Sequence, residues 1–292
     1  MKRLNPLNDY LFGKYLGEEG DEEQLLSFLN AVLKRTRKQV TLVKILENRV
    51  ITADILGDKT VILDIRAIAN DGIRINIEVQ VRNAGKMDRR SLFYWSREYA
   101  KGIESGKTYD QLPNVITINI VDYEFLPIDD FHASFHLWED QNKDFMLTDA
   151  LEIHFIDMVK FRKLKDKNIK GDSLHRWLTF FDKNTPADVL EEVISMEAAI
   201  LKAHEKMSFL SSDPDTLRLY EMREMGAMDY ASGVEHARNE GWHEGRHEGR
   251  HEAMNDIAKK LLELNTPITT ISFSTGLDEM AINKIMKDLN NA

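Results

Sequence analysis

Val61-Ile-Leu-Asp-Ile-Arg-Ala-Ile-Ala69, then Asn70-Asp-Gly72, then Ile73-Arg-Ile-Asn-Ile-Glu-Val-Gln-Val81, reads as a β-hairpin. The second run alternates strictly. Ile73, Ile75, Ile77, Val79 and Val81 share one face, and Arg74, Asn76, Glu78 and Gln80 share the other. A three-residue loop with Gly72 in the left-handed position pairs Ala69 with Ile73, and counting outward sets Asp64 across from Glu78. The same register puts Leu63, Ile65 and Ala67 beside Val79, Ile77 and Ile75, so the apolar face closes. A two-residue loop would oppose Asp64 to Val79 instead. Directly opposed carboxylates repel unless something neutralises them. A divalent cation does so, and Mg²⁺ is commonly held by one or two carboxylates while keeping waters and taking a phosphate oxygen from substrate.

Asp64, the hairpin and Glu78-Val-Gln80 resemble the active-site signature of the PD-(D/E)XK nuclease superfamily. A narrower resemblance spans residues 5 to about 125. Asn5-Pro-Leu-Asn-Asp-Tyr-Leu-Phe-Gly-Lys14, Ser27-Phe-Leu-Asn-Ala-Val-Leu33, the two hairpin strands, and Val115-Ile-Thr-Ile-Asn-Ile-Val-Asp122 are similar, in order, to the recombination-promoting nuclease/putative transposase family. The resemblance implies an α/β fold with a restriction-endonuclease-like core, a mixed central sheet flanked by helices. It also implies a Mg²⁺-dependent DNA endonuclease, with Mn²⁺ as a substitute, linked to recombination or mobile elements. Asp64 and Glu78 then become the metal-binding acids, and Gln80 fills the slot where the superfamily carries lysine. A neutral amide positions water but adds no charge to stabilise the transition state. Either the Gln form works slowly or another cation compensates, and Arg66 and Arg82 are the nearest in sequence on the acids' face. The alternative is a catalytically degenerate DNA-binding or assembly protein that keeps the fold.

With 292 residues, 42% hydrophobic and 30% charged, the chain can form one substantial core plus a helical extension, or two small domains. No run approaches a membrane span, and Met1 to Asp9 lacks the apolar stretch of a secretion signal. The absence of cysteine removes disulfides, thiolate zinc sites and thiol nucleophiles, and a cytoplasmic protein is the expectation. The net charge of −10 means that double-stranded DNA has to meet a local basic patch. Lys34-Arg-Thr-Arg-Lys38 is one such patch. The other is a helical stripe of Lys86, Arg90, Tyr94, Arg97 and Lys101, which would contact phosphates, with Lys86, Arg90, Arg97 and Lys101 as the DNA-binding cations. Leu92, Trp95, Tyr99 and Ile103 form a second stripe on that helix.

Periodicity predicts helices over 7–17 and 21–35, a strand near 40–52, the hairpin, the basic helix to about 105, and a strand at 115–121. Further strands are expected at 131–138 and 151–159, with His132, His136 and His154 as surface histidines because no adjacent carboxylate completes a ligand set. From about 172 the chain turns helical. Leu174, Trp177, Leu178 and Phe181 form one stripe, followed by helical stretches at 189–209 and 217–237. Asp9 and Glu47 are further acids near the expected site.

The tail repeats every four residues, with Glu240, Glu244, Glu248 and Glu252 in phase with Gly241, Gly245 and Gly249 and with His243, His247 and His251. This pattern reads as a polar helical spacer or self-association element rather than a metal site. The expected organisation is a nuclease-like domain at 1–230, the spacer at 231–252, and a small helical module at 253–292. The last resembles a helix-turn-helix, yet Asp278, Glu279 and Asp288 favour packing or partner binding over groove reading. A homo-oligomer through these C-terminal helices is expected, and no membrane association.

Overall fold

The computed structural model describes residues 3–37, 39–46, 65–83, 85–103 and 108–290. Asp64 and Glu47 lie outside the described residues. Two compact units are present, Met1–Glu224 and Met225–Ala292.

The first unit is built on a mixed sheet of six described strands: β1 (Val43–Ile45), β2 (Ile65–Ala69), β3 (Arg74–Gln80), β4 (Val115–Val121), β5 (His132–Trp138) and β6 (Met146–Asp157). Their order across the sheet is β1-β2-β3-β4-β6-β5. β4 runs parallel to both β3 and β6, and the remaining pairs are antiparallel. All seven residues of β4 are buried, as expected for a central strand covered on both faces.

The hairpin register follows the loop. Asn70–Gly72 makes one 3₁₀ turn, Gly72 takes the left-handed φ of +75°, and the Ala69 N–H donates to the Ile73 carbonyl at 2.8 Å. Ile65 then pairs with Ile77, Arg66 with Asn76 and Ala67 with Ile75. This is the pairing that the three-residue loop predicts.

One face of the sheet packs against α1 (Asp9–Leu16), α2 (Glu22–Leu33), α5 (Ser173–Phe181) and α7 (Ala198–Leu210). Ile75, Ile77, Ile116, Ile118, Ile120 and Ile156 meet an aromatic cluster there. Phe28 contacts Trp177 and Phe181 edge-on, at centroid distances of 5.7 and 5.3 Å. The other face carries α3 (Met87–Ala100) and a smaller core of Met87, Val121, Leu151, Ile153 and Phe155.

Three elements differ from the expected boundaries. β6 begins at Met146 and gives way at Asp157, whose carboxylate caps α4 (Met158–Lys163) by accepting from the Lys160 N–H at 3.0 Å. The expected helical stretch 189–209 is two helices, α6 (Ala187–Met196) and α7, broken at Glu197, where φ is −142°. That break turns the Glu197 carboxylate inward, where it accepts from Ser27, Ser173 and Arg176, and Ser27 in turn accepts from Trp177 Nε1 at 3.0 Å. On α3 the Leu92 stripe is split, since Trp95 packs against the smaller core and donates to the Val115 carbonyl at 3.1 Å. Leu92 is exposed, and Met87, Ser91 and Glu98 face inward.

The 50-residue α8 (Pro214–Glu263) contains the four-residue repeat, whose residues are exposed. In the second unit α9 (Ile268–Thr275) ends at Gly276, in the left-handed conformation at φ +73°, before α10 (Glu279–Asn290). Ala258, Ile271, Leu277 and Ile282 form its small core.

Candidate active site

Alternation along β3 and β4 sends Arg74, Asn76, Glu78, Thr117 and Asn119 to the face beneath α3. Glu78 pairs in register with Asn119, and Asn76 with Thr117. Asn76, Glu78, Thr117 and Asn119 are all buried, an unusual polar row inside a sheet. Asn119 is fully satisfied, accepting from Ser91 Oγ of α3 at 2.9 Å and donating to the His154 carbonyl at 2.9 Å. The others are not. Asn76 Nδ2, Thr117 Oγ1 and both Glu78 carboxylate oxygens are buried without a well-formed hydrogen bond among the described residues. Such orphans in a native fold call for water, an ion or a substrate group.

Glu78 is 2% exposed. Among the described residues the charge that reaches it is Arg90, one turn into α3, whose Nη2 lies against Oε1 as a close ion pair. Burial pushes the Glu78 carboxyl above its ordinary pKa, and Arg90 opposes that shift. Tyr123, after β4, is pushed up to about 12 by burial and by the Glu78 charge. A carboxylate, a guanidinium and a phenol therefore meet at the C-terminal ends of β3 and β4. Gln80, two residues beyond Glu78, is half-buried, and its amide donates to the Arg82 carbonyl at 3.1 Å.

Arg66, a suggested substitute for the missing lysine, is committed elsewhere. Its Nη2 donates to Glu98 at 2.7 Å, within a cluster that also holds Arg74 and Lys101. Arg82 carries a buried Nη1 without a hydrogen-bond partner among the described residues. The cation that reaches the acid is Arg90, assigned from sequence to DNA contact. Helical spacing revealed that Arg90 shares a stripe, but the phase of α3 over the sheet points it inward. Lys101 also leaves the phosphate stripe for Glu98, at 3.1 Å. Lys86 and Arg97 are exposed. Asp9 begins α1 and lies 3.9 Å from Arg223.

A second polar group occupies the opposite face. His154 and Glu152 are fully buried, and Arg37 pairs with Glu152. The Glu152 carboxylate accepts from His154 Nε2 at 2.8 Å, which leaves His154 Nδ1 to accept from His132 Nε2 at 2.9 Å. Burial would raise the Glu152 pKa, but hydrogen bonds from His154, Thr36 and Arg37 hold it down at about 2. Burial and His154 lower His132 to about 3. The surface-histidine reading is corrected: β6 is covered on both faces over residues 151–157, and Glu152, two residues from His154, is the carboxylate that sequence reasoning missed. The signal available was Glu152-Ile-His154, an alternating polar pair in an apolar strand. No group of three or more potential metal ligands is formed among the described residues.

A mixed sheet thus carries an acid-bearing hairpin and is crossed by a helix that returns a basic residue to that acid. A family model described as PD-(D/E)XK nuclease family transposase matches residues 6–237, and the chain belongs to this family. No curated protein and no solved structure matches the chain. No helix among the described residues is long and apolar enough to cross a membrane.

Proposed function

We propose that the protein is a Mg²⁺-dependent endonuclease that hydrolyses phosphodiester bonds of double-stranded DNA during recombination or the movement of mobile elements, with Mn²⁺ as a substitute. One observation carries the reading: in a chain of this nuclease family, Glu78 is a buried carboxylate whose one close partner among the described residues is the Arg90 guanidinium on Oε1, with Oε2 left without a hydrogen bond among them. A hard cation is the ligand that such oxygens suit. The observed register, continued by one residue beyond Ile65, supports Asp64 as the partner of Glu78.

In this reading Asp64 and Glu78 hold the cation, which when bound lowers the pKa of water and offsets charge on the scissile phosphate. Gln80 orients the attacking water through its amide. Glu78 needs to be ionised, and Arg90 favours that state against burial. Lys86 and Arg97 give phosphate contacts that are indifferent to sequence. Within the proposed organisation, 1–230 is the nuclease domain, 231–252 a spacer, and 253–292 a module for packing or self-association into a homo-oligomer. A cytoplasmic location accords with the cysteine-free composition.

Gln80 in the lysine slot favours the second reading, a degenerate member that binds DNA without cutting it. Supercoiled plasmid incubated with and without Mg²⁺ separates the two. Metal-dependent nicking by the wild type, lost in Asp64→Ala and Glu78→Ala, is the expected result. No nicking, or nicking that survives both substitutions, selects the degenerate reading.

A further inference from the structure

We infer that the outer face of α3 is a stacking platform for unpaired nucleotides, so that the protein prefers a single-stranded or locally opened stretch of DNA to a continuous duplex. The inference rests on the proposed action on DNA, but it concerns a different surface from the Glu78 centre.

Arg89, Phe93 and Arg97 fall at i, i+4 and i+8, on one line along the helix. All three are exposed, and Lys86 extends the line at the helix start. Phe93 is 57% exposed, an unusual place for a large ring on a helix whose opposite side reaches the core. The Arg97 guanidinium lies over that ring, 5.7 Å from its centroid. Among the described residues neither Arg89, Arg97 nor Lys86 forms an ion pair, whereas Arg90 and Lys101 of the same helix are both neutralised by carboxylates. In a chain of net charge −10 this is a local concentration of uncommitted positive charge around one exposed aromatic ring. Asp88, the exposed acid of α3, lies about 100° round the helix from Arg89.

Phosphates alone would explain the three cations but not the ring. A continuous duplex offers it no base face, because the bases are stacked on one another. An unpaired strand offers both a backbone for the cations and a π-face for Phe93, with Arg97 adding a planar cation to the stack. The geometry also connects to the chemistry. Arg90, the neighbour of Arg89 in the chain, touches Glu78 on the inner side of the helix, so one helix carries both the exposed platform and the cation of the proposed reacting centre.

The test is fluorescence anisotropy on full-length Glu78→Gln protein without metal, which suppresses cleavage. Three labelled probes of one length are compared: a mixed-sequence single strand, an abasic single strand with the same phosphates, and the duplex. The mixed strand should bind about tenfold more tightly than the abasic strand, and more tightly than the duplex. Phe93→Ala should erase the gap between mixed and abasic strands, Phe93→Trp should keep it and show fluorescence quenching on binding, and Arg89→Glu should weaken binding of both strands. Equal binding of mixed and abasic strands, tighter binding of duplex, or a folded Phe93→Ala protein that keeps the gap would each overturn the inference. Because no cleavage is read, the expected binding pattern together with absent plasmid nicking would sink the nuclease reading alone.

Discussion

Arg90 of α3 is ion-paired with Glu78 of β3, so the buried acid of the candidate site carries its own counter-cation. Burial works to keep Glu78 protonated and Arg90 works to keep it charged. Arg90→Ala leaves burial unopposed, and Glu78 then holds its proton to a higher pH. The acid limb of the pH–nicking profile should move to higher pH, with activity falling about 100-fold at neutral pH. Adding Gln80→Lys to Arg90→Ala should restore part of the loss if a positive charge near Glu78 is what matters, and a full pH series on both variants reads it.

Glu78→Gln should raise stability at neutral pH. A carboxyl whose pKa is raised by folding stabilises the fold while protonated, below its unfolded value, and that contribution is lost as pH rises through the folded value. The amide avoids the loss. Thermal melts should show the variant higher by about 2–4 °C at pH 7, with the difference shrinking as the pH is lowered and the wild-type carboxyl takes up its proton.

Glu152 and His132 predict acid sensitivity of the fold. Glu152 is held at about 2, so its contribution is present above the ordinary glutamate range and is lost as pH falls through that range toward 2. The lowered pKa corresponds to roughly 3 kcal/mol. His132, held neutral down to about 3, adds a loss that begins as pH falls below its ordinary value of 6.5. Urea midpoints should therefore decline from pH 6.5 downward. His132→Gln should flatten the upper part of that decline, and Glu152→Gln should flatten the lower part while reducing stability at pH 7.

Glu197→Ala should destabilise the first unit by about 2–3 kcal/mol, because Ser27, Ser173 and Arg176 all donate to this one carboxylate and Trp177 is anchored through Ser27. Glu197→Gln keeps acceptor capacity and should recover about half of the loss. Chemical denaturation of the two variants measures the difference.

The hairpin was legible because β3 alternates between an apolar and a polar face, and because Gly72 is the residue of the Asn-Asp-Gly loop best suited to a left-handed turn. Strand β4 was legible for the opposite reason, a run β-branched everywhere but at Asn119, which suits a centre buried on both sides. The direction of Arg90 was not. A helical wheel orders residues round an axis, but it does not say how that axis is rotated over a sheet. The burial of His154 was hidden for a related cause. Polar residues at alternate positions normally mark a solvated face, and here the Arg37 segment, paired with Glu152, and His132, bonded to His154, turn that face inward. Glu197 sits within a continuous helical pattern, and the gain that breaks the helix there comes from residues 21 to 170 positions away.

The polar row beneath α3 has a consequence for motion. A helix seated on Asn76 and Thr117, whose Nδ2 and Oγ1 find no hydrogen-bond partner among the described residues, is held less firmly than one seated on isoleucine, so the amides of Met87–Ala100 should exchange with solvent faster than those of β4. A carboxylate that is 2% exposed meets no phosphate until its cover shifts. The same unpaired groups that loosen α3 thus set how readily Glu78 is uncovered.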